Sequence, residues 1–165
     1  MKGILVTILL IGALGGGAWW FANQRNERIA AEQAVAEEAA LTALRDERVA
    51  LFGDAALAED IEWSETGMGI KHLKEGAGPR PLAGGYVTFS YQVRLKDGTE
   101  VQRTEKPTEA RIGQMIPGVS AGLMKMGRGG RALLLIPPKL AYGKSGYGPI
   151  PADAGLLFEI ELFDR

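Results

Sequence analysis

Few residues in this chain could do covalent chemistry. It has one histidine and no cysteine in 165 residues, which excludes disulfides, thiolate nucleophiles, Cys-ligated metals and paired-His zinc motifs. His72 lies in the strand-like run Gly69-Ile70-Lys71-His72-Leu73-Lys74 and reads as a partly exposed strand residue rather than a general base. Glu159 and Glu161 share one face by period two, which invites comparison with an acid–base carboxylate pair; along one strand such a pair is more often a solvated face. Gly127-Arg128-Gly129-Gly130-Arg131 has the glycine density of a phosphate loop, but it lacks Gly-Lys-Ser/Thr and precedes a strand, so it reads as a turn. No metal-ligating constellation appears, and neither a metal nor a cofactor is expected. With 19 Lys+Arg against 20 Asp+Glu and a net charge of -1, there is no electrostatic footprint for nucleic acid.

What remains is a set of aromatics, glycines and prolines suited to non-covalent work. Gln114-Met115-Ile116-Pro117-Gly118-Val119 leads into a short helix. Pro137-Pro138-Lys139-Leu140-Ala141-Tyr142-Gly143 opens a long loop, and Gly148-Pro149-Ile150-Pro151-Ala152-Asp153-Ala154 closes it. Together they are suited to frame an apolar concavity against Tyr91 and Phe158, with the Tyr142 hydroxyl as a polar handle.

The elements that must position these residues are mostly strands. Val87, Phe89, Tyr91, Val93 and Leu95 alternate with Thr88, Ser90, Gln92 and Arg94, the pattern of a half-buried strand. Asp97-Gly98 marks a tight turn, with Thr99 to Gln102 returning. Arg131 to Ile136 is an apolar strand stopped by Pro137-Pro138. Leu156, Phe158, Ile160 and Leu162 alternate at the end of the chain, residues 69–74 supply a further short strand, and Val119 to Met126 fits one short helix. The expected fold class is α+β, a curved antiparallel β-sheet wrapped around one short α-helix, spanning roughly 100 residues.

Composition divides the chain further. All eight prolines lie at or beyond Pro79, and all but five of the 23 glycines at or beyond Gly53. Gly3 to Ala22 carries no charge and ends in Trp19, Trp20 and Phe21, so residues 1–22 read as a transmembrane anchor of about 30 Å, or as a signal segment with Gly16-x-Ala18 as a cleavage site. Gly12-x-x-x-Gly16 fits close helix approach or plain tolerance of glycine in a membrane helix. Residues 23–60 are rich in Ala, Glu and Arg and read as a helical arm. Leu41, Leu44, Arg48 and Leu51 follow 3-4-3 spacing, with Phe52 adjoining, which suits a solvated stalk or a homodimer formed through the arm. Residues 61–165 form the β domain.

Residues from about Thr66 onward carry a family resemblance: Thr66 to Gly78 at the entry, Val87 to Tyr91, the hairpin Lys96-Asp97-Gly98-Thr99, Ile116-Pro117-Gly118, Ala141-Tyr142-Gly143, Ile150-Pro151, and Leu157 to Leu162. In this order and spacing the chain resembles the FKBP-type peptidyl-prolyl cis-trans isomerases, the macrolide-binding immunophilins. With its apolar start and helical arm it is similar to bacterial members acting in the cell envelope. The resemblance implies a rotamase that assists protein folding on Pro-containing polypeptides, held by one membrane pass in the inner (cytoplasmic) membrane with its domain facing the periplasm or cell exterior. It implies Tyr142 (hydroxyl) and Ile116 (backbone N–H) as catalytic donors, with Tyr91, Met115, Ile150 and Phe158 in the proline pocket. Three positions depart from the family pattern. Val101-Gln102 stands where a Phe-Asp pair is usual, Val119 where the pocket floor usually has Trp, and Thr108 where an aromatic follows Lys106-Pro107. Smaller walls desolvate a proline less, about 25 cal/mol for each Å² not buried. The departures point to weaker isomerase activity, or alternatively to a non-catalytic FKBP-like chaperone or interaction module.

Overall fold

The computed structural model describes residues 2–164, with side chains at 20, 21 and 23–164. The chain divides into two compact units, one ending at Leu44 and the other beginning at Arg45. The first unit is helical, part of α1 (Lys2–Phe52). From Asn23 to Leu44 its side chains are exposed, Leu41 and Leu44 included, as a run of Ala, Glu and Arg without a continuous apolar stripe dictates.

The transmembrane helix expected over residues 1–22 is corrected by the structure. Among the described residues no helix is long and apolar enough to cross a membrane. Side chains 2–19 and 22 of that stretch, including the Gly12 and Gly16 positions, lie outside the described residues. The described remainder of α1 is too charged to enter hydrocarbon, carrying Arg25, Glu27 and Arg28 within about two turns of Phe21 and Glu32 one turn further.

The second unit holds a seven-stranded antiparallel sheet. Its strands are β1 (Glu62–Trp63), β2 (Gly69–Lys74), β3 (Tyr86–Arg94), β4 (Glu100–Arg103), β5 (Thr108–Arg111), β6 (Arg131–Ile136) and β7 (Leu156–Leu162), and α2 (Pro117–Lys125) is its one α-helix beyond α1. The order is β1-β2-β6-β7-β3-β4, with β5 also on β3. Two short strands thus share one long one: β5 pairs with the first half of β3, from Tyr86 to Phe89, and β4 with the second, from Gln92 to Arg94. β3 and β7 run in register from Phe89↔Leu162 to Arg94↔Leu157, which puts their alternating apolar residues on one buried face. Val87, Phe89 and Val93 meet Phe158, Ile160 and Leu162 there, beside Leu134 and Ile136 of β6 and Val119 and Leu123 of α2.

α2 packs on this face through glycine. A Cβ at Gly118 would overlap Ile136 Cγ2, and one at Gly122 would overlap Leu134 Cδ1, so only the bare backbone fits at this spacing. Pro117 occupies the first helical turn, where a missing N–H costs nothing.

The last two turns of α1 belong to this unit. Phe52 is fully buried, its ring 6.0 Å from that of Trp63, and the Arg48 guanidinium lies 4.1 Å over the Trp63 ring. Lys96, from the β3–β4 hairpin, donates to the Ala50 carbonyl at 3.0 Å and satisfies an acceptor the helix end leaves open.

Candidate active site

Period two places Phe89 and Tyr91 on the same face of β3 and Phe158 beside them on β7. The Phe89 and Tyr91 rings stack with centroids 5.7 Å apart, and Tyr91 and Phe158 meet at 5.7 Å with planes tilted 36°. Tyr91 is held through its backbone: its N–H donates to Thr104 Oγ1 at 2.9 Å, while its carbonyl accepts from the Thr104 N–H at 3.0 Å. Thr104 therefore acts as a clasp where β4 ends.

The second wall comes from the approach to α2. Ile116 is the N-cap, its carbonyl taken by the Ser120 N–H at 3.2 Å. Among the described residues the Ile116 N–H has no acceptor of its own. Ser120, the one buried polar side chain among the described residues, accepts the Gly113 N–H at 3.2 Å and tethers the loop that carries Gln114, Met115 and Ile116. The third wall is the turn after β6. The Leu140 and Ala141 N–H groups return to Pro137 and Pro138, and the Asp153 N–H donates to the Gly143 carbonyl at 2.9 Å, fixing Tyr142 between two anchored segments.

These walls enclose a cavity of about 430 Å³ lined by Phe89, Tyr91, Gln102, Thr108, Ala110, Gln114, Met115, Ile116, Val119, Tyr142, Tyr147 and Phe158. No side chain in that lining carries a charge. Burial raises the Tyr91 phenol above its ordinary value of 10.0, and the neighbouring Tyr142 adds to the shift. Burial raises Tyr142 as well, with Tyr147 contributing. Both remain protonated donors throughout the neutral range.

Eight residues singled out from the sequence meet in this cavity: Tyr91, Gln102, Thr108, Met115, Ile116, Val119, Tyr142 and Phe158. Two do not line it. Val101 is half-buried against the core at a break in register: Gln102 pairs with Val93 and Glu100 with Arg94, so Val101 is the extra, unpaired residue between them. Ile150 is buried in the core, its backbone bridged to Tyr147. Sequence reasoning missed Phe89, Ala110 and Tyr147 as lining, while Gln114 belongs to the segment it named as framing the cavity. Phe89 was signalled by its shared face with Tyr91; Tyr147, in an irregular loop, carried no periodic signal.

The other motifs resolve differently. Glu159 receives Arg94 Nη2 at 3.0 Å and also Arg131, so it is an ion-paired strand residue rather than half of an acid–base pair. His72 has the Glu75 carboxylate 3.6 Å from its Nδ1 and takes no part in the cavity.

A curved antiparallel sheet closed on one short helix, with an aromatic cavity at the helix entrance, defines a known class: residues 78–163 match the family FKBP-type peptidyl-prolyl cis-trans isomerase, and the chain belongs to it. Among curated relatives it is similar to the FKBP-type peptidyl-prolyl cis-trans isomerase FkpA of Escherichia coli K12, 35% identical over 112 residues that cover 66% of this chain and 42% of that protein. FkpA of Aeromonas hydrophila is 38% identical over 111 residues, covering 65% of this chain and 41% of that protein. The chain thus spans under half the length of these relatives. Among solved structures, a peptidyl-prolyl cis-trans isomerase from Pseudomonas syringae pv. tomato superposes with a TM-score of 0.64 at 34% identity, over 76% of this chain and 92% of that one. E. coli FkpA superposes with a TM-score of 0.65 at 28% identity, over 84% and 70%.

Proposed function

We propose that this protein accelerates cis/trans exchange of X–Pro bonds in polypeptide chains and so assists protein folding. The observation that carries the reading is the convergence of a neutral aromatic cavity with two donors at its rim, the Tyr142 hydroxyl and the unengaged Ile116 N–H. Rotation about an X–Pro amide crosses a barrier of about 18–20 kcal/mol and takes tens to hundreds of seconds unaided. No bond is broken, so no nucleophile, metal or proton transfer is required. Conjugation holds the planar amide in its polar form; an apolar enclosure favours the twisted, less polar form. The proline ring enters between Tyr91, Phe158 and Val119, while Ile116 and Tyr142 hold flanking carbonyls in place. A thousandfold acceleration needs about 4 kcal/mol of preference for the twisted amide.

We propose residues 61–165 as the FKBP-type domain and 23–60 as its helical arm, the part of the arm from Arg45 onward lying in the same compact unit as the domain. A place in the cell envelope is supported by the resemblance to envelope members of the family. Chymotrypsin-free exchange measurements by NMR on X–Pro peptides with the full chain test the activity. Wild type is expected to exceed background clearly, and Tyr142→Phe to lose about tenfold, the worth of one hydrogen bond in a dry site. Equal rates for the two proteins would remove Tyr142 from its role.

A second reading is favoured by Gln102, Val119 and Thr108, small or neutral side chains where the family pattern is acidic or aromatic. This is a binding module that holds Pro-containing chains without turnover. Peptide binding without acceleration would select it.

A further inference from the structure

We propose that Tyr147, stacked on Tyr142, makes this site selective for prolines flanked by an aromatic residue; the proposal rests on the isomerase reading above and names its substrate class.

The two rings lie nearly parallel, 13° apart, with centroids at 5.0 Å, and both line the cavity. Tyr142 covers one face of Tyr147, yet Tyr147 remains 66% exposed. A large aromatic left in water forgoes the burial that normally accounts for its presence. Nor is it on a loose loop. Its N–H donates to the Ile150 carbonyl and its carbonyl accepts from the Ile150 N–H, both at 2.9 Å. Gly146 and Gly148 flank it with φ of 63° and 54°, and a Cβ at Gly146 would overlap the Ile150 carbonyl. A two-bond bridge between left-handed glycines fixes the backbone, so the ring is presented with little left to order on binding. Its open face extends the Tyr142 stack outward, beside the phenol that holds the substrate.

The cavity itself leaves room for a neighbour. Val119, Thr108 and Ala110 are small, and about 430 Å³ exceeds what one pyrrolidine ring fills. A flanking side chain enters with the proline, and the surface it meets is the Tyr142–Tyr147 stack. An aromatic ring gains offset stacking there that a saturated ring of the same size does not.

The test compares peptides carrying Phe or cyclohexylalanine immediately before the proline, and a second pair carrying them immediately after. Exchange rates and NMR titrations are read with the full chain. Wild type is expected to favour Phe by about two- to tenfold in at least one position. That ratio is expected to fall to one in Tyr147→Leu and to return in Tyr147→Phe, which keeps the ring. Acceleration of all four peptides with no Phe preference in either readout would overturn the inference and leave the isomerase reading standing. No acceleration but preferential binding of Phe peptides would sink the isomerase reading and uphold the aromatic subsite. Neither acceleration nor preference would overturn both. A Phe preference unchanged in folded Tyr147→Leu would place the selectivity on another ring of the cavity and overturn the inference. Should that variant fail to fold, the Tyr147 ring resonances decide. They are expected to shift in wild type with Phe peptides more than with cyclohexylalanine peptides, and equal shifts would overturn it.

Discussion

The side-chain amide of Gln102 donates to the Tyr91 phenol oxygen at 2.7 Å. The bond ties β4 to the aromatic wall on β3. A carboxylate at 102 would instead accept the phenol's own proton, whereas an amide donor leaves that proton free to turn into the cavity. Gln102→Leu is expected to cost about 0.5–1.5 kcal/mol. The measurement is a denaturant-melt cycle with Tyr91→Phe, and additive effects would show that the bond contributes nothing.

Turnover is expected to be level from about pH 6 to 9, because the Tyr91 and Tyr142 phenols are held above their ordinary value of 10.0 chiefly by burial. The stability prediction has the same sign. The folded chain keeps these protons at a pH where the unfolded chain has released them. The contribution is therefore full below about pH 10 and is lost as pH rises through the raised folded values. Denaturant melts between pH 8 and 12, with phenolate absorbance recorded in parallel, check both. Phenolate appearing below pH 9 in the native protein would contradict the burial argument.

Gly122→Ala sets two effects against each other. Alanine in a helix is favoured over glycine by about 0.8–1 kcal/mol. The added methyl, however, would overlap Leu134 Cδ1, which is fully buried and has nowhere to retreat. Overpacking of this kind costs about 1–3 kcal/mol, so net destabilisation of about 1 kcal/mol or more is expected. A shift of the urea midpoint upward would mean that α2 can lift off the sheet cheaply.

Phe52→Ala is expected to destabilise the β unit by about 3–5 kcal/mol, the range for a fully buried aromatic. The effect should appear in the unfolding of β-sheet signal, although Phe52 is the last residue of α1. A loss under about 1 kcal/mol would place the helix end outside the cooperative unit.

The long strands were legible from residue order because each has one buried and one half-exposed face. Val87 to Val93 and Leu156 to Leu162 alternate as they should, and the structure pairs them. β5 was not legible. Thr108-Glu109-Ala110-Arg111 has no large apolar residue and becomes a strand because β3 offers it an unpaired edge, a tertiary cause invisible to local pattern. At the site, Tyr91, Tyr142, Phe158 and the segment carrying Ile116 stood out as aromatics, glycines and prolines suited to an apolar concavity, and the family resemblance implied their roles. Val101 was named with Gln102 because the pair stands where the family usually has Phe-Asp; the break in register between β3 and β4 leaves Val101 against the core and Gln102 at the cavity. Tyr147 owes its position to paired glycines and a two-bond bridge, features of backbone conformation rather than of hydrophobic order. The membrane helix was inferred from an uncharged run, and among the described residues nothing of that kind is present.

The glycine contact between α2 and the sheet divides labour within a single helix. Gly118 and Gly122 meet β6 without side chains, while Val119, between them, faces the cavity. The glycines that set the spacing of helix and sheet are thus distinct from the residue that floors the pocket, although Val119 also packs in the core. A change at position 119 on its cavity side leaves the two glycine contacts with β6 untouched, so the cavity floor and the spacing of helix and sheet answer to different residues. A binding surface of this kind can be retuned one residue at a time, by selection or by an engineer, without asking the fold to be solved again.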